Sequence, residues 1–116
     1  MNETSPDAVA LCSLDDIEDG QSAGFAVDLN AGRIGVMVIR RGDTVHTYIN
    51  SCPHIGTPLD FKPGQFLDTA REHILCSTHG ALFRINDGHC ISGPCAGQNL
   101  TVMINEVRNR TIFIRP

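Results

Sequence analysis

Tryptophan is absent from this 116-residue chain, and tyrosine occurs once. Its interior must therefore be filled by Val, Ile, Leu and Phe. Basic residues are scarce too: nine Lys and Arg against thirteen Asp and Glu leave a net charge of −4. That balance excludes a nucleic-acid-binding face, which needs clustered cations to neutralise phosphates. It also supplies no polybasic segment for an anionic bilayer. The first ten residues carry Glu3 and Asp7 but no Lys, no Arg and no long apolar run. Neither a secretory nor a twin-arginine signal is visible there. Nowhere do the roughly 20 consecutive apolar residues of a membrane span occur. The cytoplasm is the expected compartment. The five cysteines are odd in number and follow no secreted-scaffold spacing. They point to metal binding or simple burial rather than to a disulfide framework.

What is present suits one small globular domain. Hydrophobic residues make up 41% of the chain, enough for a core and too many for disorder. Residues 1–9 are expected to be a flexible N-terminus and 10–116 a single domain. Short apolar runs alternate with turn signals. Gly24–Leu29 reads as a strand, followed by a turn at Asn30-Ala31-Gly32. In Arg33–Arg40, Ile34, Val36 and Val38 share one face, and Gly42-Asp43 closes a hairpin onto Thr44–Asn50. His73–Leu75 is a further short strand. A second hairpin pairs Ala81–Ile85 with His89–Ile91 across Asn86-Asp87-Gly88. A third pairs Leu100–Val107 with Arg110–Ile114 across Arg108-Asn109. The fold class is all-β, an antiparallel sandwich or barrel.

Two segments carry chemistry: Cys52-Pro53-His54 and Cys76-Ser77-Thr78-His79-Gly80. Each offers one thiolate and one imidazole, good ligands for both iron and zinc. Each follows a strand, so two loops would face each other at one end of a sheet. A structural zinc site is one reading of two Cys and two His. Against it, zinc-finger patterns group Cys with Cys and His with His, whereas each half here supplies one of each.

The pattern Cys-x-His, a spacer, then Cys-x-x-His resembles the Rieske family. Gly56 and Gly80 stand where that family has glycines beside its ligands, and Ser92-Gly93-Pro94 resembles its proline-bearing loop. The resemblance covers about Leu11 to Ile114. It implies one [2Fe–2S] cluster, with Cys52 and Cys76 on one iron and His54 and His79 on the other. It also implies a Rieske-type sandwich with a cluster-binding subdomain made of the two ligand loops. Counted formally, two ferric irons, two sulfides and two thiolates sum to zero, so reduction adds an electron to a neutral site. A four-thiolate site would already be a dianion.

Departures from the family narrow the subclass. High-potential members carry an extra cysteine in each loop, forming a disulfide; here Thr57 and Thr78 stand in those positions. Those members also hydrogen-bond the cluster sulfurs through Ser and Tyr, where this chain has Ala81 and Phe83. A low-potential, ferredoxin-type centre follows. The 21-residue spacer between His54 and Cys76 is longer than in similar ferredoxins, with Asp60-Phe61-Lys62-Pro63-Gly64 the extra loop. The implied role is a one-electron carrier, monomeric when isolated, passing electrons from a flavin reductase to a terminal oxygenase or reductase. It would have no substrate-converting site of its own. The alternative is a fixed relay or redox-sensing subunit, similar to the small subunit of assimilatory nitrite reductase.

The remaining candidates have plainer readings. Cys12, Cys90 and Cys95 are expected to be buried small hydrophobes, with a redox pair as the other possibility. His46, His73 and His89 should be surface or strand-face residues, and Arg41-Gly42-Asp43 a turn. The acidic run Asp15, Asp16, Glu18 and Asp19 reads as a solvated loop, or else as a partner-docking patch.

Overall fold

The computed structural model describes residues 8–29, 32–53, 56, 58–60, 62–76 and 80–115. Among them are nine strands: β1 (Val9–Ser13), β2 (Ser22–Leu29), β3 (Gly32–Arg41), β4 (Thr44–Ile49), β5 (His73–Leu75), β6 (Leu82–Arg84), β7 (Cys90–Ser92), β8 (Ile104–Arg108) and β9 (Thr111–Arg115). Three antiparallel sheets result, in the orders β1-β9-β8, β2-β3-β4 and β5-β6-β7. The all-β antiparallel class expected from the pattern is the one found.

β3 divides the molecule. Ile34, Val36 and Val38 face a first core with Leu14, Val27, Val45, Ile112 and Ile114. Met37 and Ile39 face a second core with Tyr48, Phe66, Ile74, Phe83 and Leu100. A strand covered on both sides loses its period-2 signal, and Val36, Met37, Val38 and Ile39 are accordingly all buried. The first two sheets meet along β4. The Met103 N–H donates to the Thr47 carbonyl at 2.9 Å. The Thr47 hydroxyl returns a bond to the Met103 carbonyl at 2.7 Å. Asn105 Nδ2 donates to the Val45 carbonyl and to Thr47 Oγ1. Thr47, 2% exposed, is thus satisfied in the interior.

The third hairpin differs from the sequence expectation. Leu100–Met103 is not part of β8; the segment crosses to β4, where the Ile49 N–H donates to the Thr101 carbonyl. The turn lies at Asn109-Arg110, one residue later than expected, because Arg108 pairs with Thr111. Both turn residues are left-handed, with φ of 50° and 60°, as a two-residue hairpin requires. Arg110 tolerates this because it is gripped from outside. Its carbonyl accepts the Leu14 N–H at 2.7 Å, and its Nε donates to Asp15 at 3.0 Å. β1 was not among the expected strands. Its sequence, VALCS, lacks alternation, and its pairing with β9 breaks between Ala10 and Cys12.

The acidic run is largely occupied by structure. Asp16 caps the 3₁₀ turn Leu14–Asp16 by accepting the Ser13 N–H, and Asp19 accepts the Gly42 N–H at 2.7 Å. Arg40 clamps the same turn onto β3 through the Leu14 and Ile17 carbonyls. Arg41-Gly42-Asp43 is the β3–β4 turn, with Gly42 at φ 63°.

Tyr48 ties β4 to the segment after β6 inside the second core. Its hydroxyl donates to the Ile85 carbonyl at 2.6 Å, with the residue 2% exposed. Burial, with Asp87 nearby, pushes its phenol up to about 12 from 10. The unfolded chain loses this proton first, so the contribution is complete below pH 10 and is lost as pH rises towards about 12. It amounts to something on the order of 2–3 kcal/mol. Tyr48→Phe is expected to cost about 1–3 kcal/mol at neutral pH by orphaning the Ile85 carbonyl. Urea unfolding at a series of pH values should also show a flatter alkaline limb in the variant.

Candidate metal centre

The second core is built around sulfur. Cys52, 2% exposed, follows β4, and Cys76, 0% exposed, follows β5; both belong to this one cluster of buried side chains. The same backbone closure is found at each. The Gly56 N–H donates to the Cys52 carbonyl at 2.7 Å, and the Gly80 N–H to the Cys76 carbonyl at 2.9 Å. Both closures span four residues, and both glycines lie at positive φ, 79° and 72°. An L side chain would be strained there, so glycine permits each turn to close. His54 falls inside the first turn and His79 inside the second, but both lie outside the described residues. So do Thr57 and Thr78. Of the expected ligand set, the structure brings Cys52 and Cys76 into one core.

Neighbouring elements hold these turns. Ser51 and Cys52 emerge from β4 beside Asn50, whose Nδ2 donates to Asp60 and whose Oδ1 accepts the Leu59 N–H. Asp60 in turn accepts the Gly64 N–H, and the Ser22 hydroxyl donates to the Gly64 carbonyl at 2.7 Å. The expected extra loop is therefore stitched to β2 and to Asn50 just after β4, although Phe61 lies outside the described residues. The second turn is closed at its base by the Cys76 N–H to the Ala81 carbonyl.

The third loop, Ser92-Gly93-Pro94-Cys95, packs on the second turn. A Cβ built on Gly93 would stand 2.7 Å from the Cα of Ala81, so backbone meets backbone here. Ser92, Gly93 and Pro94 are exposed, whereas Cys95 turns inward and is 1% exposed. β7 carries a bulge opposite β6: Phe83 pairs with Cys90 and Leu82 with Ser92. The extra residue, Ile91, is pushed to the surface at 45% exposure. Cys90 remains inside, its Sγ 3.3 Å from that of Cys95. Burial, together with Cys90 and Cys52, pushes the Cys95 thiol up to about 12. Cys90 and Cys95 are buried as expected, whereas Cys12 is only half-buried, packed at the edge of the first core.

The other histidines stand apart from this core. His73 Nδ1 lies 3.3 Å from Asp68, and His89 Nδ1 lies 2.7 Å from the Asn99 side chain. Burial disfavours ionised Asp68, but the N–H groups of Glu72 and His73 and the His73 ring outweigh it and hold that carboxyl below its ordinary range. Burial, then the Arg41 charge, holds the His46 imidazole low. An open cleft of 770 Å³ between the 3₁₀ turn and residues 63–71 is lined by Glu18, Gln21, Ser22, Gln65, Asp68 and Arg71 among others, with no Cys or His.

The donor chemistry fits an iron–sulfur group. Two buried sulfurs in one apolar core, each bonded through its carbonyl to a glycine four residues on, suit the thiolate half of a mixed site.

Comparison with known proteins points the same way. The Rieske [2Fe–2S] domain matches residues 7–109. A search of curated proteins finds no match. Among solved structures, the ferredoxin of carbazole 1,9a-dioxygenase from Nocardioides aromaticivorans IC177 is 26% identical. Its TM-score is 0.73, with 94% of this chain and 97% of that one covered. A chain from the complex of reduced oxygenase and oxidized ferredoxin in carbazole 1,9a-dioxygenase is 22% identical at TM-score 0.73, covering 96% and 94%. The terminal oxygenase of carbazole 1,9a-dioxygenase from Novosphingobium sp. KA1 is 16% identical at TM-score 0.76, covering 93% of this chain but 29% of its own. The last two likenesses speak to fold alone.

Proposed function

Because this chain belongs to the Rieske [2Fe–2S] domain family, we propose that it is a one-electron carrier whose single cluster is held by Cys52, His54, Cys76 and His79. The observation that supports the ligand assignment is the matched pair of closures, each bonding a buried cysteine's carbonyl to the N–H of a left-handed glycine four residues on. When bound, the cluster supplies a site that takes up and releases one electron. The chain's residues do the rest. Cys52 and Cys76 give two thiolates in a dry core, and Gly56 and Gly80 let the backbone close around them. His54 and His79 supply neutral donors, which keeps the oxidised site uncharged and eases reduction. Ala81 and Phe83 offer no side-chain donors, which keeps the potential in the lower part of the family's range.

The 26%-identical relative is the ferredoxin of a dioxygenase and matches this chain over nearly its full length. That likeness supports a ferredoxin component that takes electrons from a flavin reductase and delivers them to a terminal oxygenase in the cytoplasm. Among the described residues no helix is long and apolar enough to cross a membrane. The test uses the purified coloured protein. It is expected to sediment as a monomer, to titrate reversibly with one electron below about +100 mV, and to relay electrons from a soluble flavin reductase to an oxygenase. Isolation only in a stable complex with one large oxidoreductase would replace the carrier with a fixed relay subunit.

A further inference from the structure

We propose that Cys90 and Cys95 form a reversible dithiol–disulfide pair, an oxidant-sensitive modification site beneath the third loop. The inference goes beyond the carrier role and does not depend on the ligand assignment.

Their geometry carries it. The two sulfurs lie 3.3 Å apart, and both cysteines are free thiols. A disulfide holds its sulfurs about 2.05 Å apart, so about 1.2 Å remains to be closed. Rotation of two side chains covers that distance, because the backbone already brings the pair together. The Cys90 N–H donates to the Gln98 carbonyl, the Gly97 N–H to the Cys90 carbonyl, and the Gln98 N–H to the Cys95 carbonyl. Little is forfeited in return. The Cys90 thiol donates to the Ser92 carbonyl at 3.2 Å, and Ser92 is exposed, so water can take over that carbonyl.

Access is through a thin cover. Cys95 is the one buried residue of the stretch 91–99, which leaves a single layer of exposed loop between the pair and solvent. Hydrogen peroxide, little larger than water, is the oxidant class that such a cover admits. Buried thiols stay protonated, so the pair answers slowly, to excess peroxide. One sulfur attacks a peroxide oxygen, the O–O bond breaks, and water leaves a sulfenic acid behind. The neighbouring sulfur then displaces that hydroxyl as a second water, and the S–S bond forms. Two thiols and one peroxide thus become one disulfide and two waters, the sulfurs having given two electrons. A dithiol reverses the step by exchange. The product staples the two ends of the loop whose Gly93 rests on Ala81, and so holds it on the second cysteine turn.

The experiment treats the loaded protein with excess hydrogen peroxide, quenches it in acid, and alkylates it unfolded with N-ethylmaleimide before tryptic digestion. Peptide 85–108, bounded by cleavage after Arg84 and Arg108, holds Cys90 and Cys95 and no other cysteine. It is expected to carry no label and to be lighter than the reduced peptide by two hydrogens, about 2 Da. Dithiothreitol before alkylation should restore two labels. In Cys90→Ser the loss of two hydrogens should disappear, whereas the wild-type result needs no variant to fold. Two labels after peroxide, oxygen added at either cysteine in place of the lost hydrogens, or a link from either to Cys52 or Cys76 would overturn the pairing. The visible spectrum of the same sample, taken before treatment, reports on the cluster separately.

Discussion

A Gly93→Ala protein is expected to lose about 2–6 kcal/mol of stability, and with it the seat of the third loop on the second cysteine turn. Two costs add. Gly93 sits at φ +100°, where an L residue is strained by about 1–3 kcal/mol. The new methyl would also stand 2.7 Å from the Ala81 Cα, 3.0 Å from its Cβ and 3.3 Å from its nitrogen. Ala81 cannot yield like the tip of a flexible side chain, because its carbonyl accepts the Cys76 N–H that closes the ligand turn. Overpacking of that kind costs about 1–3 kcal/mol. Gly97→Ala separates the two costs: φ is +92° there, yet nothing lies within 4 Å of its Cβ. Denaturant unfolding should show Gly93→Ala losing more than Gly97→Ala by about the overpacking cost. Equal losses would mean that the loop is not seated on Ala81.

Cys76→Ala is expected to abolish the visible chromophore and bound iron altogether. The site would lose one of two thiolates, and no water can stand in because Cys76 is fully buried. Binding of a metal group is also folding free energy, so the variant should melt earlier even where the polypeptide still folds. The prediction is sharpened by the company Cys76 keeps, since Cys52, Cys90 and Cys95 share its core. Cys52→Ala should behave like Cys76→Ala, whereas Cys90→Ala should retain its iron. Metal analysis and absorbance on the three proteins, purified alike, decide the matter. Full iron in Cys76→Ala, or loss of iron in Cys90→Ala, would contradict the ligand assignment.

Much of this architecture was legible in the sequence where one physical rule dominated. The β2–β3–β4 meander announced itself through alternation and a glycine turn, and it formed with β2 two residues longer than Gly24–Leu29. The paired Cys/His segments were visible because ligand spacing is local. Legibility failed where distant contacts override local preference. The hairpin turn at Asn109-Arg110 depends on Leu14 and Asp15, nearly a hundred residues away. β1 has no periodic signature and exists by pairing with β9. Met37 and Ile39 could not be assigned to a second core while Val36 and Val38 already explained the strand. The approach of Cys90 to Cys95 at 3.3 Å depends on the bulged β7 and the loop after it, and no local pattern marks it.

The most direct test of the mixed-ligand centre is metal and sulfide analysis of the purified protein, combined with hyperfine spectroscopy of the reduced state after ¹⁵N-histidine labelling. The account predicts about two irons and two labile sulfides per chain, with two histidine nitrogens coupled to the reduced cluster. A single zinc ion per chain, or an iron cluster coupled to no histidine nitrogen, would contradict it.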